Sequence, residues 1–285
     1  TEVVALLRLK PVFVEVDPDT FCMHPEALRK AITPKTKVIV PVHLYGHSAP
    51  MEEILQIARE HNLWVVEDNA QAIGCDYTFS DGTTQKTGTM GDVGTTSFYP
   101  SKNLGAYGDG GAIFTRDADL AAQMKMIANH GQQKRYYHER VGCNSRLDSL
   151  QAAILRVKLQ HLDAYNQARQ KVAAYYNAAF ANHPNIQTPA VAPYSTHVYH
   201  QYTLIIKNAD RDALSKHLAD HQVPSMIYYP VPGHRQPMFT GMDIACGDLT
   251  VTDWLTERVI SLPVHTEMEE EQLQWITQQV LQFFK

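Results

Sequence analysis

Apolar residues recur at positions 3, 4, 6 and 7 in the opening TEVVALLRLK, the spacing of one helical face. The only capping residue available is Thr1 itself, so the pattern predicts a helix already under way at the first residue, as in a fragment. PVFVEV (11–16) reads as a strand, and PEALRKAI (25–32) returns to helical spacing. KVIVPVHLYG (37–46) is almost continuously apolar, which predicts a strand covered on both faces. PMEEILQIAREHN (50–62) opens on proline, carries acids in its first turn and a base near its end, charges that suit a helix dipole. LWVVED (63–68) predicts a third strand, VGTTSFY (93–99) a fourth and GAIFT (111–115) a fifth. Strand–helix alternation implies right-handed crossovers and an α/β fold, with a mainly parallel, mixed sheet flanked by helices.

From residue 117 the texture changes. DADLAAQMKMIANHG is helical and ends on Gly131, a natural C-cap. RLDSLQAAILRVKLQHLDAYNQARQKVAAYYNAAF (146–180) is a long, glycine-free helical stretch that bridges to a second domain. That domain holds a strand (199–207), a helix (210–222) and a final amphipathic helix (269–284). The division is a large domain over 1–160 and a smaller C-terminal α+β domain over 161–285.

With 285 residues, 44% of them hydrophobic, the chain can bury a substantial core. The net charge of −5 offers no basic surplus for nucleic acid. Cysteines at 22, 75, 143 and 246 form no C-x-x-C pair, which argues against zinc ribbons and for a reducing, cytoplasmic setting. No apolar run is long enough to span a bilayer, and no signal peptide opens the chain.

Two residues then stand out. Asp68 closes the strand LWVVED, and ligands of open α/β sheets bind beyond the carboxyl ends of strands. Lys102 lies between an apolar run and glycines at 105, 108, 110 and 111, which permit tight turns and close backbone approach. The spacing is neither G-x-G-x-x-G nor a Walker loop. In the bland alternative Asp68 is a solvated turn acid or helix cap and Lys102 an ordinary surface lysine. Together, however, a lysine held by rigid turns and a strand-end acid can serve pyridoxal phosphate (PLP). The amine forms a Schiff base with it, and the acid keeps its pyridine nitrogen protonated. His197 and His200 have H-x-x-H spacing but no nearby acid or cysteine ligand, and read as non-metal histidines.

VVEDNAQAIG, SFYPSKNLGAYGDGGAIFT and GCNSRLDSLQAAIL resemble the three signature segments of the DegT/StrS family of sugar-nucleotide aminotransferases, fold-type I PLP enzymes. The resemblance continues through PVFVEVDPDTF, KTKVIVPVHLYG, HQYTLIIK, YYPVPGHRQP and SLPVHTEMEEEQL, in order and over essentially the whole chain. It implies that Lys102 forms the Schiff base and shuttles the proton, and that Asp68 pairs with the pyridine N–H. It also implies that Ala70 lies against one ring face, Gln71 bonds the ring hydroxyl and Ser97 bonds the phosphate. Asn144 would reach the phosphate from a neighbouring subunit, making a homodimer the minimal active unit. Arg146, Tyr228, Tyr229 and His234 are the implied substrate contacts, although the family often carries His where Tyr228 stands. Glutamate is the implied amino donor, and a nucleoside-diphosphate keto sugar the acceptor. The loop GAYGDGGA is closer to members that aminate C3 than to C4 enzymes, which more often read G-E-G-G there.

Family members also carry an N-terminal segment with a phosphate-binding loop and a ring-stacking aromatic, neither of which has a counterpart here. The resemblance therefore implies weaker PLP binding than in a member possessing both. Two rival readings on the same fold are a non-catalytic regulatory paralogue, which usually loses the lysine, and a dehydratase, which places His there. Lys102 counts against both.

Overall fold

Strand–helix alternation in the first half builds a four-stranded sheet in the computed structural model, which describes residues 1–285. Along the chain come α1 (Glu2–Leu6), β1 (Val12–Phe13), α2 (Pro25–Ala31), β2 (Val38–Ile39), α3 (Met51–His61) and β3 (Trp64–Asp68). A hairpin of β4 (Asp76–Thr78) and β5 (Thr84–Lys86) precedes β6 (Val93–Ser97) and β7 (Gly111–Phe114). The sheet order is β2–β3–β6–β7, parallel at the first two junctions and antiparallel at the last. Met51, Ile54, Ile57 and Ala58 of α3 pack on Ile39 and Val65 of the sheet. The helix stops at Asn62, whose left-handed backbone (φ 52°) turns the chain into β3.

The other face of this sheet is open. β3 alternates so that Val65 and Glu67 point into the core while Trp64, Val66 and Asp68 point the opposite way. Trp64 pairs with Val38, and Val38, Val40, Val42, Trp64 and Ile113 are all exposed. The expected two-sided cover over 37–46 is therefore absent. The run has the composition of a doubly buried strand, but Val38, Val40 and Val42 are left uncovered by the rest of the chain. Regular pairing there is limited to Val38–Ile39, after which Leu44–Gly46 forms a 3-10 turn with Tyr45 at φ 58°.

The second half runs through α4 (Ala118–Ile127), a hairpin of β8 (Gln132–Lys134) and β9 (Tyr137–His138), α5 (Ser149–Lys158) and α6 (Leu162–Ala179). α4 ends earlier than expected, and Gly131 instead serves a tight loop crossing. A Cβ there would lie 1.7 Å from the Arg140 carbonyl oxygen. The single helix expected over 146–180 is split by a 3-10 turn at Leu159–His161. That bend lets Leu155 and Leu162 close together on Phe98, Leu104 and Ala106, beneath the turn that carries Lys102.

The chain then forms β10 (Ile186–Gln187), β11 (Tyr202–Ile206), α7 (Arg211–Asp220), β12 (Ala245–Cys246), α8 (Thr250–Thr256), β13 (Val259–Leu262) and α9 (Glu270–Phe283). β10, β11 and β13 make an antiparallel sheet. β11 is buried at every position, and Tyr176 of α6, Leu214 and Leu218 of α7 and Val280 of α9 complete its core. Asp210 caps α7 through the amides of Asp212 and Ala213, and Glu269 and Gln272 form a capping box on α9. β1 pairs with β12, which stitches the first strand to the C-terminal half.

Between the two sheets lies a seam of buried histidines. His47 Nε2 accepts the Ala192 amide at 3.0 Å, and burial lowers its pKa to about 4. His197 stacks on Tyr199 at 3.9 Å, and burial holds it well below its ordinary value. At His200 burial comes first, then the charges of Lys102 and Arg169, and together they lower its pKa to about 3.

Two predictions follow from this packing. Leu204→Ala in fully buried β11 should destabilise the fold by about 2–5 kcal/mol, read from the urea midpoint. A change below roughly 1 kcal/mol would mean that the site repacks. The histidine seam adds a pH dependence. Unfolded chains take up protons as pH falls through 6.5, whereas folded chains resist until about 4 at His47 and about 3 at His200. Stability should thus be complete above pH 6.5 and decline progressively below it, by on the order of 2 kcal/mol at pH 4.5 for His47 alone. His47→Asn should flatten that decline; an equally steep profile in the variant would contradict the assignment.

Candidate active site

Asp68 occupies the last position of β3, and its backbone is held at both its amide and its carbonyl by the neighbouring Pro41–His43 segment. Its amide donates to the Pro41 carbonyl at 2.9 Å, and its own carbonyl accepts the His43 amide at 3.0 Å. Its side chain bends back so that Oδ1 accepts the Ala70 amide at 3.0 Å. This turn projects Ala70 and Gln71 past the strand end. Gln71 is oriented by two contacts. Its Oε1 accepts the Tyr45 amide at 2.7 Å, and its Nε2 donates to the Tyr229 hydroxyl at 3.1 Å. The Tyr45 hydroxyl in turn donates to the Tyr228 carbonyl. The loop around 228–229 is therefore anchored to the strand-end turn by Tyr45 and Gln71.

β6 lies beside β3 with Thr95 opposite Asp68, and its last residue is Ser97. Ser97 Oγ accepts the Tyr99 amide at 3.2 Å. The chain then coils tightly, with the Lys102 amide donating to the Tyr99 carbonyl at 2.9 Å and the Ala106 amide to the Phe98 carbonyl at 2.8 Å. Gly105 is required here, because a Cβ would sit 2.4 Å from the Pro100 carbonyl oxygen. Asn103 pins the turn from below, donating to Asn166 Oδ1 at 2.7 Å and to the Val198 carbonyl at 2.8 Å.

Lys102 is half-buried, and burial lowers its pKa while the Asp68 carboxylate opposes that effect. An amine with a weakened hold on its proton is the form that attacks a carbonyl carbon. The Tyr229 phenol is pushed the other way, upward, by burial and by the charges of Tyr228 and Asp68, against the hydrogen bond from Gln71. Behind this cluster, buried Arg169 has no carboxylate partner. It donates instead to the carbonyls of Tyr199 (3.1 Å), His200 (3.4 Å) and Val264 (2.9 Å), and burial lowers its pKa to about 10.

Asp68, Ala70, Gln71, Ser97, Lys102, Tyr228 and Tyr229 thus converge beyond the ends of β3 and β6. Three other residues singled out by sequence do not join them. His234 faces Asp253, with Nε2 at 3.2 Å from Oδ1, and packs edge-on to Phe13. Asn144 bridges to the backbone of Asn129, and Arg146 donates to Asn129 Oδ1 at 2.8 Å on an exposed loop before α5. Sequence reasoning passed over Tyr45, His43 and Glu67. The available signals were an aromatic and a histidine inside PVHLYG, and the doubled acid of VVED.

A profile of the DegT/DnrJ/EryC1/StrS aminotransferase family matches residues 1–281. A Geobacillus stearothermophilus protein named a pleiotropic regulatory protein is 43% identical over 284 residues, 99% of this chain and 74% of that protein. The UDP-N-acetyl-3-dehydro-alpha-D-glucosamine 3-aminotransferase of Acidithiobacillus ferrooxidans is 44% identical over 272 residues, 95% of this chain and 71% of that one. Among solved structures, DesV of Streptomyces venezuelae, in complex with a ketimine intermediate, is similar at a TM-score of 0.88 and 39% identity. That similarity covers 95% of this chain and 71% of DesV. On a family match that runs nearly end to end, the chain belongs to the DegT/DnrJ/EryC1/StrS aminotransferase family.

Proposed function

We propose that this PLP-dependent aminotransferase moves an amino group from glutamate to a keto sugar linked to a nucleoside diphosphate, at C3 of the sugar. The observation that carries this reading is the half-buried Lys102 in the turn after β6, beside the strand end that presents Asp68, whose charge opposes the lowering of the lysine pKa by burial. The residues present fit the cofactor. Its aldehyde needs an amine, its pyridine nitrogen an acid, its ring hydroxyl a donor and its phosphate a hydroxyl. Lys102, Asp68, Gln71 and Ser97 supply these in that order, and Ala70 leaves room against a ring face.

When bound, PLP supplies an electron sink for the bond that breaks at the amine-bearing carbon. The chain does the rest. Asp68 holds a proton on the pyridine nitrogen, and its fixed backbone keeps the carboxylate aimed. Lys102 takes and returns a proton at Nζ, a task suited to an amine whose affinity for protons burial has lowered. Gln71 turns its NH2 group outward because Tyr45 occupies its oxygen. Tyr228, Tyr229 and His234 lie on or beside the loop assigned to the sugar, and Arg146 supplies a guanidinium for phosphate or carboxylate oxygens.

Asn144 and Arg146 reach the site from the second subunit of a homodimer in this reading. Exposed Leu150 and Val157 on α5, next to that loop, favour such an interface. Support for C3 comes from the loop GAYGDGGA and from the 3-aminotransferase of A. ferrooxidans. All four cysteines are free, which favours the cytoplasm, and no helix is long and apolar enough to cross a membrane.

Glutamate-dependent turnover should be measured on UDP- and dTDP-linked 3-keto and 4-keto sugars. Turnover with the 3-keto substrates is expected. Turnover confined to 4-keto sugars would remove the C3 assignment, and turnover confined to free keto acids would remove the sugar class. Asp68→Asn should keep the fold by circular dichroism and lose about a hundredfold or more in kcat.

A further inference from the structure

One buried acid remains outside the proposed chemistry. Glu67 directly precedes Asp68, points to the opposite face of β3 and is fully buried. Four donors converge on its carboxylate. Oε2 takes the Gly88 amide at 2.7 Å and His43 Nε2 at 2.9 Å; Oε1 takes the amides of Met90 and Gly91, each at 2.6 Å. Burial works against the charge, but donation from His43, then Gly91 and Gly88, prevails and holds the carboxyl below its ordinary range.

The proton on His43 is placed by its other contact. Nδ1 accepts the Ala49 amide at 3.1 Å, so Nε2 carries the proton and donates to Glu67. The contact is a hydrogen bond to a carboxylate rather than an ion pair. His43 also donates its own amide to the Asp68 carbonyl at 3.0 Å. One residue therefore grips Asp68 through the main chain and Glu67 through the side chain.

The far side of the carboxylate matters as much. The Gly88–Gly91 segment leads directly into β6 and lies close upon it, since a Cβ on Gly94 would meet the Gly88 carbonyl oxygen at 1.9 Å. Glu67 thus fixes the start of the strand whose end presents Ser97. Asp68 has one hydrogen bond to its carboxylate, from Ala70, so its aim depends on the backbone beneath it. An apolar residue at 67 could fill the space but could not hold four donors in place.

We infer that the buried Glu67–His43 pair is a positioning device that aims Asp68 at the cofactor ring and sets the β6 strand that carries Ser97. The inference rests on the assignment of Asp68 to the pyridine nitrogen and extends it to residues that touch no ligand.

The test is binding, not turnover. Affinities for PLP and for a deaza analogue, with CH in place of the ring nitrogen, should be measured by fluorescence titration of the full chain. The ratio of the two isolates the Asp68 contact. It should be about tenfold or more in the unaltered protein, the value of one charge-assisted hydrogen bond. Asp68→Ala should bring the ratio close to unity; an unchanged ratio there would defeat the Asp68 assignment itself. Glu67→Gln turns an NH2 group toward two donors and should lower the ratio by about threefold or more, as coupled neighbours do. Equal weakening of both ligands, with the ratio intact, would reduce Glu67 to a purely structural role and overturn the inference. If Glu67→Gln does not fold, His43→Asn is the alternative. It can still accept the Ala49 amide but cannot reach Glu67, and it should lower the ratio too; an intact ratio there would be equally decisive.

Discussion

The site depends on the register of β3 against β6. Asp68 pairs with Thr95, which sets the strand-end acid beside Ser97 and the turn holding Lys102. Side chains alternate along a strand, so a slip of one residue would exchange the two acids of VVED. Glu67 would then face the site, and Asp68 would meet four donors spaced for a longer side chain. The hydrogen bonds that Glu67 receives from Gly88, Met90, Gly91 and His43 are specific to one register. The same contacts that satisfy a buried charge therefore choose which acid faces the strand-end cluster.

Around this register the protein builds two different electrostatic environments. Asp68 lies at a strand end, where its carboxylate accepts the Ala70 amide. Lys102 is half-buried in a turn closed by Gly105 and Asn103, and burial lowers its pKa. The surroundings reinforce the difference. Arg169 is buried against three carbonyl groups without a counter-ion, and after burial itself the charges of Lys102 and Arg169 help lower the His200 pKa. The Asp68 carboxylate and the Arg169 guanidinium are both held by backbone groups, so this part of the balance is built into the fold rather than into mobile side chains.

Much of this was legible in the sequence, for local reasons. α3 announced itself through Pro50, acids in the first turn and bases in the last, and β3 through its β-branched run into Asp68. The glycines after Lys102 marked a turn under steric constraint, as Gly105 bears out. What escaped depends on distant partners. The open face at Val38, Val40 and Val42 has the same composition as a doubly buried strand, because composition does not record what is packed outside it. The break at Leu159–His161 carries no glycine or proline; what it accommodates is the packing of Leu155 and Leu162 on distant Phe98. His43 and Glu67 meet across 24 residues of sequence, so neither carries a local signal of the other. Asn144 and Arg146 were readable as motif residues, but within one chain they bond to Asn129 and not to the converging cluster.

If Lys102, in the turn after β6, is the amine that takes the cofactor, a covalent label must find it there. The most direct measurement is to load the full chain with PLP, reduce it with borohydride, digest it and locate the pyridoxyl mass by peptide sequencing. The label is expected on Lys102, and should be lost in Lys102→Arg without transfer elsewhere. A stoichiometric label on any other lysine of the unaltered protein would contradict it.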